Sequence, residues 1–164
     1  MNSRTSRPYP LVGLVGVVLG LVLTALPAAA QSGAGVRAGV SASPDQFVFG
    51  AHFDTGPLFE RVSFRPNVEV GVGNDLTTVS GNFEFVYWIP LLRKPWSLYA
   101  GGGPAVNVYR YGIDRYGNRG TDTQPGFNLL VGIAHHGGVF TEVKAGLIDS
   151  PNVRVTVGYT WQWK

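Results

Sequence analysis

The chain has no cysteine, so a disulfide framework and a thiolate metal site are both excluded. It is also short of charge: Asp, Glu, Lys and Arg make up 14% of its 164 residues, where about 25% is usual for a soluble domain. No long helical period appears after residue 30, which argues against a helical bundle. A basic stripe is missing as well. The formal charge of +3 includes Arg4 and Arg7, which lie in an N-terminal segment expected to be removed. Without them 11 basic residues stand against 10 acidic ones. A charge so near balance excludes the electrostatic footprint of a nucleic-acid partner.

What is present begins with a leader. Arg4 and Arg7 give a positive start, an uncharged apolar run extends from Leu11 to Leu26, and Pro27 precedes Ala28, Ala29 and Ala30. This is the pattern of a secretory signal peptide with a small-residue cleavage site. A membrane anchor is the competing reading, because the run is nearly long enough to span a bilayer. The helix-breaking Pro27 and the alanines favour cleavage, giving residues 1–30 as leader and 31–164 as a single mature domain. Without a cysteine after the alanines there is no lipid anchor.

The mature part alternates every second residue, the signature of strands. Eight segments can be drawn, approximately 35–43, 46–55, 60–72, 77–89, 96–109, 124–135, 138–148 and 152–163. Turn chemistry separates them, as in Ser43-Pro44-Asp45, Gly73-Asn74-Asp75 and Asp149-Ser150-Pro151-Asn152. Most are longer than ordinary strands and suit tilted membrane strands. In the last, Val153, Val155, Val157, Tyr159, Trp161 and Trp163 oppose Arg154, Thr156, Gly158, Thr160 and Gln162. Phe47, Phe49, Ala51 and Phe53 oppose Gln46, Val48, Gly50, His52 and Asp54 in the same way.

Periodicity does not say which face is outside. With the apolar face inside, the chain is a soluble lipocalin-like carrier of an apolar ligand; with it outside, a membrane barrel. Three features favour the membrane. Glycines sit mostly on the polar face, where a small barrel is crowded. The apolar face is too bulky for an eight-strand interior. Trp88, Trp96, Tyr159, Trp161 and Trp163 fall near strand ends, as in the aromatic girdles of membrane barrels. The expected fold class is therefore all-β: an antiparallel up-and-down closed transmembrane β-barrel of about eight strands. Its lumen would hold Arg37, Asp54, Arg61, Arg65, Glu69, Glu84, Glu142, Lys144 and Arg154 as a paired structural network, because an unpaired buried charge is costly. A lumen so filled leaves no wide pore.

The pattern resembles the small bacterial outer-membrane β-barrel superfamily, of the OmpA-transmembrane-domain and OmpX type. It is also similar to a group of outer-membrane barrels that carry a Ser43-to-Phe47 first turn, an Arg65-to-Gly71 strand, a Gly101-to-Gly103 strand and an Asp149-to-Asn152 final hairpin. The resemblance implies a fold and a location, the cell outer membrane of a Gram-negative envelope, but no activity. It departs from the superfamily at the terminal assembly signal, where Lys164 follows Trp163. Implied partners are outer-membrane lipid, lipopolysaccharide and the barrel assembly machinery; a monomer without cofactor or metal is expected.

No catalytic site is read. His52 and Asp54 share a strand face and fit a lumen pair better than a hydrolytic site; the His-x-Ser pattern of deacylase barrels is absent. His135 and His136 precede two glycines, which marks a turn. Gly101 to Gly103 lack the Lys and helix of a phosphate loop. A long connection is expected from Arg110 to Gln124, with Arg110, Tyr111, Arg115, Tyr116 and Arg119 available for extracellular contacts, including lipopolysaccharide phosphates. The reading is thus a non-enzymatic barrel of structural, adhesive or envelope-maintenance type. The carrier and a rim-located lipid-modifying enzyme are the alternatives.

Overall fold

The computed structural model describes residues 32–92, 94–113 and 119–163, and none of these is helical. The strands are β1 (Ser32–Ala42), β2 (Gln46–Asp54), β3 (Pro57–Phe59), β4 (Val62–Val72), β5 (Leu76–Pro90), β6 (Trp96–Ile113), β7 (Arg119–His135), β8 (Val139–Leu147) and β9 (Val153–Trp163). Each long strand pairs antiparallel with its chain neighbours, and β1 pairs with β9 from Ser32↔Trp163 to Ala42↔Val153, which closes the sheet. The three-residue β3 continues the edge of β2 alongside β4, so the wall is an eight-stranded barrel. The offset arises at Gly56, whose φ of 70° bends the chain and whose N–H donates to Asp54 Oδ1 at 2.9 Å.

The alternation read from sequence is the barrel's inside and outside. Phe47 (68% exposed), Phe49, Val68, Val155 and Val157 point outward, and Val70, on the same face as its partner Phe49, is half-covered. Arg37, Arg65, Glu69, Glu84, Glu142, Lys144 and Arg154 point inward and are buried. Among the described residues the interior is largely polar and charged, not the apolar lining that a carrier of an apolar ligand needs.

Three features depart from the sequence reading. Arg61 is not in the lumen: it is exposed in a two-residue turn with Glu60 (φ 46°) and precedes the first inward position of β4, Ser63. Trp88 is no girdle residue. It shares the parity of Glu84 and Val86, and its ring stands inside against Tyr99, with centroids 5.0 Å apart. The expected long connection is mostly strand, because Val108, Tyr109 and Arg110 pair with Thr123, Asp122 and Thr121. Threonine-rich pairing and the small Gly112 and Gly120 carry β6 and β7 beyond the neighbouring β8, whose pairing with β7 ends at Phe127↔Leu147.

The two ends differ. The end where β1 starts and β9 finishes, the terminus end, has all four tryptophans: Trp88 inside and Trp96, Trp161 and Trp163 outside. The opposite, hairpin end has the turns 43–45, 73–75 and 148–152 and the β6–β7 hairpin.

Candidate functional site: the charged lumen

Four cations and four carboxylates converge from six strands. Arg37 of β1 donates to Glu142 Oε1 of β8 at 2.8 Å and to Glu69 Oε1 of β4 at 3.3 Å. Lys144 of β8 reaches Glu69 at 3.0 Å and Glu84 of β5 at 2.6 Å. Arg154 of β9 contacts Glu69 and donates to Ser80 Oγ at 2.9 Å. Arg65 of β4 grips Asp54 of β2 through Nε and Nη2 at 3.2 and 3.0 Å and meets Glu142 at 3.5 Å. Glu69 thus serves three cations and Glu142 two. Such a cluster satisfies the requirement that buried charge be paired and hydrogen-bonded.

Glycine makes the room. A Cβ on Gly50 would stand 2.9 Å from the Glu69 side chain and 3.3 Å from that of Arg37, and one on Gly132 would enter the Tyr99 ring. Amides extend the network towards the hairpin end. Asn128 donates to Asn82 at 2.8 Å, Asn82 to Asn67 at 2.7 Å, and Asn67 to Glu84 at 2.7 Å. Beyond them Asn107 and Tyr109 donate to the Asp149 carbonyl, which draws the 148–152 turn over that mouth.

On the terminus side the charges are bounded by rings. The Arg65 guanidinium lies 4.8 Å from the Tyr99 ring centre, 5.1 Å from Trp88 and 5.9 Å from Phe140, while Val86 and Leu130 pack beside Tyr99. These rings join the site without having been assigned to it from sequence. Their signal was parity: Tyr99 of β6 pairs with Gly132 of β7, and Phe140 is two residues before Glu142.

Of the other singled-out residues, His52 and Asp54 do not bond each other. His52 Nε2 is hydrogen-bonded to Thr160 Oγ1 at 2.9 Å and its ring meets Phe140 edge-on, while Asp54 holds Arg65. His135 Nδ1 accepts the Gly137 N–H at 2.9 Å in the β7–β8 turn, and its ring stands edge-on to Trp96. No group of His, Asp and Glu suited to a metal ion occurs among the described residues. Arg110 and Tyr111 are exposed at the hairpin end of β6. Arg115 and Tyr116, the Arg119 side chain and the leader lie outside the described residues.

No family model and no curated protein matches the chain. Solved structures do. The N-terminal β-barrel domain of Pseudomonas aeruginosa OprF superposes with a TM-score of 0.63 at 10% identity, covering 82% of this chain and 100% of that domain. Neisserial surface protein A gives 0.55 at 15% identity over 80% of this chain and 96% of its own. Ail, the attachment invasion locus protein of Yersinia pestis, gives 0.51 at 10% identity over 82% and 99%. The chain therefore has the fold of the small eight-stranded outer-membrane barrels.

Proposed function

We propose that the chain is an integral outer-membrane barrel with a structural or envelope-maintenance role, a filled lumen and no wide pore. The observation that carries this is the outer wall. Between the two rims no described outward-facing residue is Asp, Glu, Lys or Arg, whereas the inward face gathers eight charges. That inversion suits hydrocarbon outside. In water the same wall of exposed Phe, Val and Leu would be an aggregation surface. The tryptophan-rich terminus end suits the periplasmic interface, where indoles sit at headgroup level. The hairpin end then faces outward, with Arg110 and Tyr111 towards lipopolysaccharide, a contact for which Arg115, Tyr116 and Arg119 are further candidates. Export by the leader, cleavage before Gln31, insertion by the barrel assembly machinery and a monomeric state complete the reading.

A non-enzymatic role is supported by the histidines, whose hydrogen bonds run to Thr160 and to a backbone N–H rather than to a serine. The test is fractionation of the envelope followed by electrophoresis of heated and unheated samples. The expected result is recovery in the outer-membrane fraction with a heat-dependent shift in mobility. Recovery in the soluble periplasm, without that shift, would refute the proposal.

A further inference from the structure

The terminus-end mouth of the barrel holds a cavity of about 190 Å³, lined among others by Asp54, Arg65, Trp88, Ser97, His136 and Gln162. We propose that this mouth is a binding site for a neutral sugar ring. Its chemistry follows from what is occupied and what is free. Asp54 has both carboxylate oxygens engaged, Oδ1 by the Gly56 N–H and Oδ2 by Arg65. Arg65 in turn is divided between Asp54 and Glu142. Asp54 and Arg65 therefore offer an ionic ligand no uncompensated charge, and such a ligand would have to give up its own hydration.

What remains free is of another kind. Among the described residues no protein group bonds the hydroxyl of Ser97, the imidazole of His136 or the amide of Gln162, all at the mouth. The indole N–H of Trp88 is taken by Ser63 Oγ at 2.9 Å, so Trp88 offers a ligand only its carbon surface, alongside Phe140 and Pro57. Hydroxyl and amide groups around aromatic carbon match a pyranose, which presents C–H faces and a rim of hydroxyls. The space suits one such ring, being that of about six waters at their liquid volume. Towards the lumen the cavity ends on Arg65, Trp88 and Phe140, so a ligand is held at the mouth. If this end is periplasmic, as proposed above, the glycan of the cell wall is the sugar within reach.

The test uses the mature barrel folded in detergent and amide NMR shifts of Gly33, Gly56 and Gly138, which line the cavity. Probes are oligomers of N-acetylglucosamine, oligomers of glucose, and glucose 6-phosphate. Saturable shifts with either neutral oligomer are expected, and the tighter of the two identifies wall-type or storage-type glycan as the source. Gln162→Ala and Ser97→Ala should each weaken binding several-fold while leaving the rest of the spectrum, and hence the fold, unchanged. Two results would overturn the proposal: no saturable shift with any neutral sugar, or tighter binding of the phosphate than of the neutral oligomers. Neither touches the membrane reading, which stands or falls on fractionation.

Discussion

Glu69 is the carboxylate on which the lumen depends most, and Glu69→Ala is the sharpest perturbation of it. The consequences differ among its three cations. Arg37 keeps Glu142 at 2.8 Å, and Lys144 keeps Glu84 at 2.6 Å. Arg154 keeps only the neutral Ser80 hydroxyl. The substitution therefore strands one buried guanidinium, and breaking a buried pair from one side costs about 3–5 kcal/mol. With a urea slope of about 2 kcal/mol/M, the unfolding midpoint should fall by about 2 M. Arg154→Met should cost less, because Glu69 retains Arg37 and Lys144. The double variant should cost less than the two single costs added, by about 1–3 kcal/mol of coupling, because no charge is then stranded. The assay is reversible urea unfolding in lipid or detergent, followed by tryptophan fluorescence. If Glu69→Ala unfolds at the parent midpoint, or the double variant is strictly additive, the network does not stabilise the barrel and the reasoning fails.

Three further outcomes can be checked. Arg61→Ala, in an exposed turn, should move stability by no more than about 0.5 kcal/mol; a loss comparable to that of Glu69→Ala would return Arg61 to the network. Val157→Arg puts a cation on the outer wall at a position 59% exposed, where a lipid-facing Arg costs about 2–4 kcal/mol near the bilayer midplane. Folding yield into vesicles, read from gel mobility, should drop, and an unchanged yield would mean that this face does not meet hydrocarbon. Gly132→Val would force a side chain into the Tyr99 ring and should cost about 1–3 kcal/mol of overpacking, seen as a lower midpoint in the same urea series.

Period-two alternation made the strands and the two faces legible, because a strand has no other way to separate apolar from polar side chains. It gave the membership of each face but not its direction, which depends on closure of β1 on β9 across the described residues. Residues at strand ends were harder. Arg61 has the parity of Arg65, yet parity means nothing before the strand begins, and the start is set by the turn at Glu60. Trp88 was placed by residue type, with the other terminal aromatics, although its own parity with Glu84 pointed inward. The β6–β7 hairpin was hidden because Thr, Gly and Asp read as loop, while the backbone pairing that extends it depends on a partner strand rather than on local composition.

The same alternation explains why charge can serve as the interior of this fold. A soluble domain places its apolar residues inside because water is outside, and the few ion pairs it buries have to overcome their desolvation. Where the solvent is hydrocarbon, a charge left on the wall is the costlier alternative, and pairing it inside is the lower-energy choice. Arg37, Arg65, Lys144 and Arg154 lie on four different strands, each within reach of a carboxylate from another strand. Several of these pairs tie together strands distant in sequence, as Arg37 ties β1 to β8 and Arg154 ties β9 to β4. Closure of the barrel and neutralisation of its lumen are then one event: until β1 meets β9, Arg37 and Arg154 have not been brought onto a common lumen with Glu69 and Glu142. The pairing therefore disfavours an open sheet as much as it stabilises the closed one.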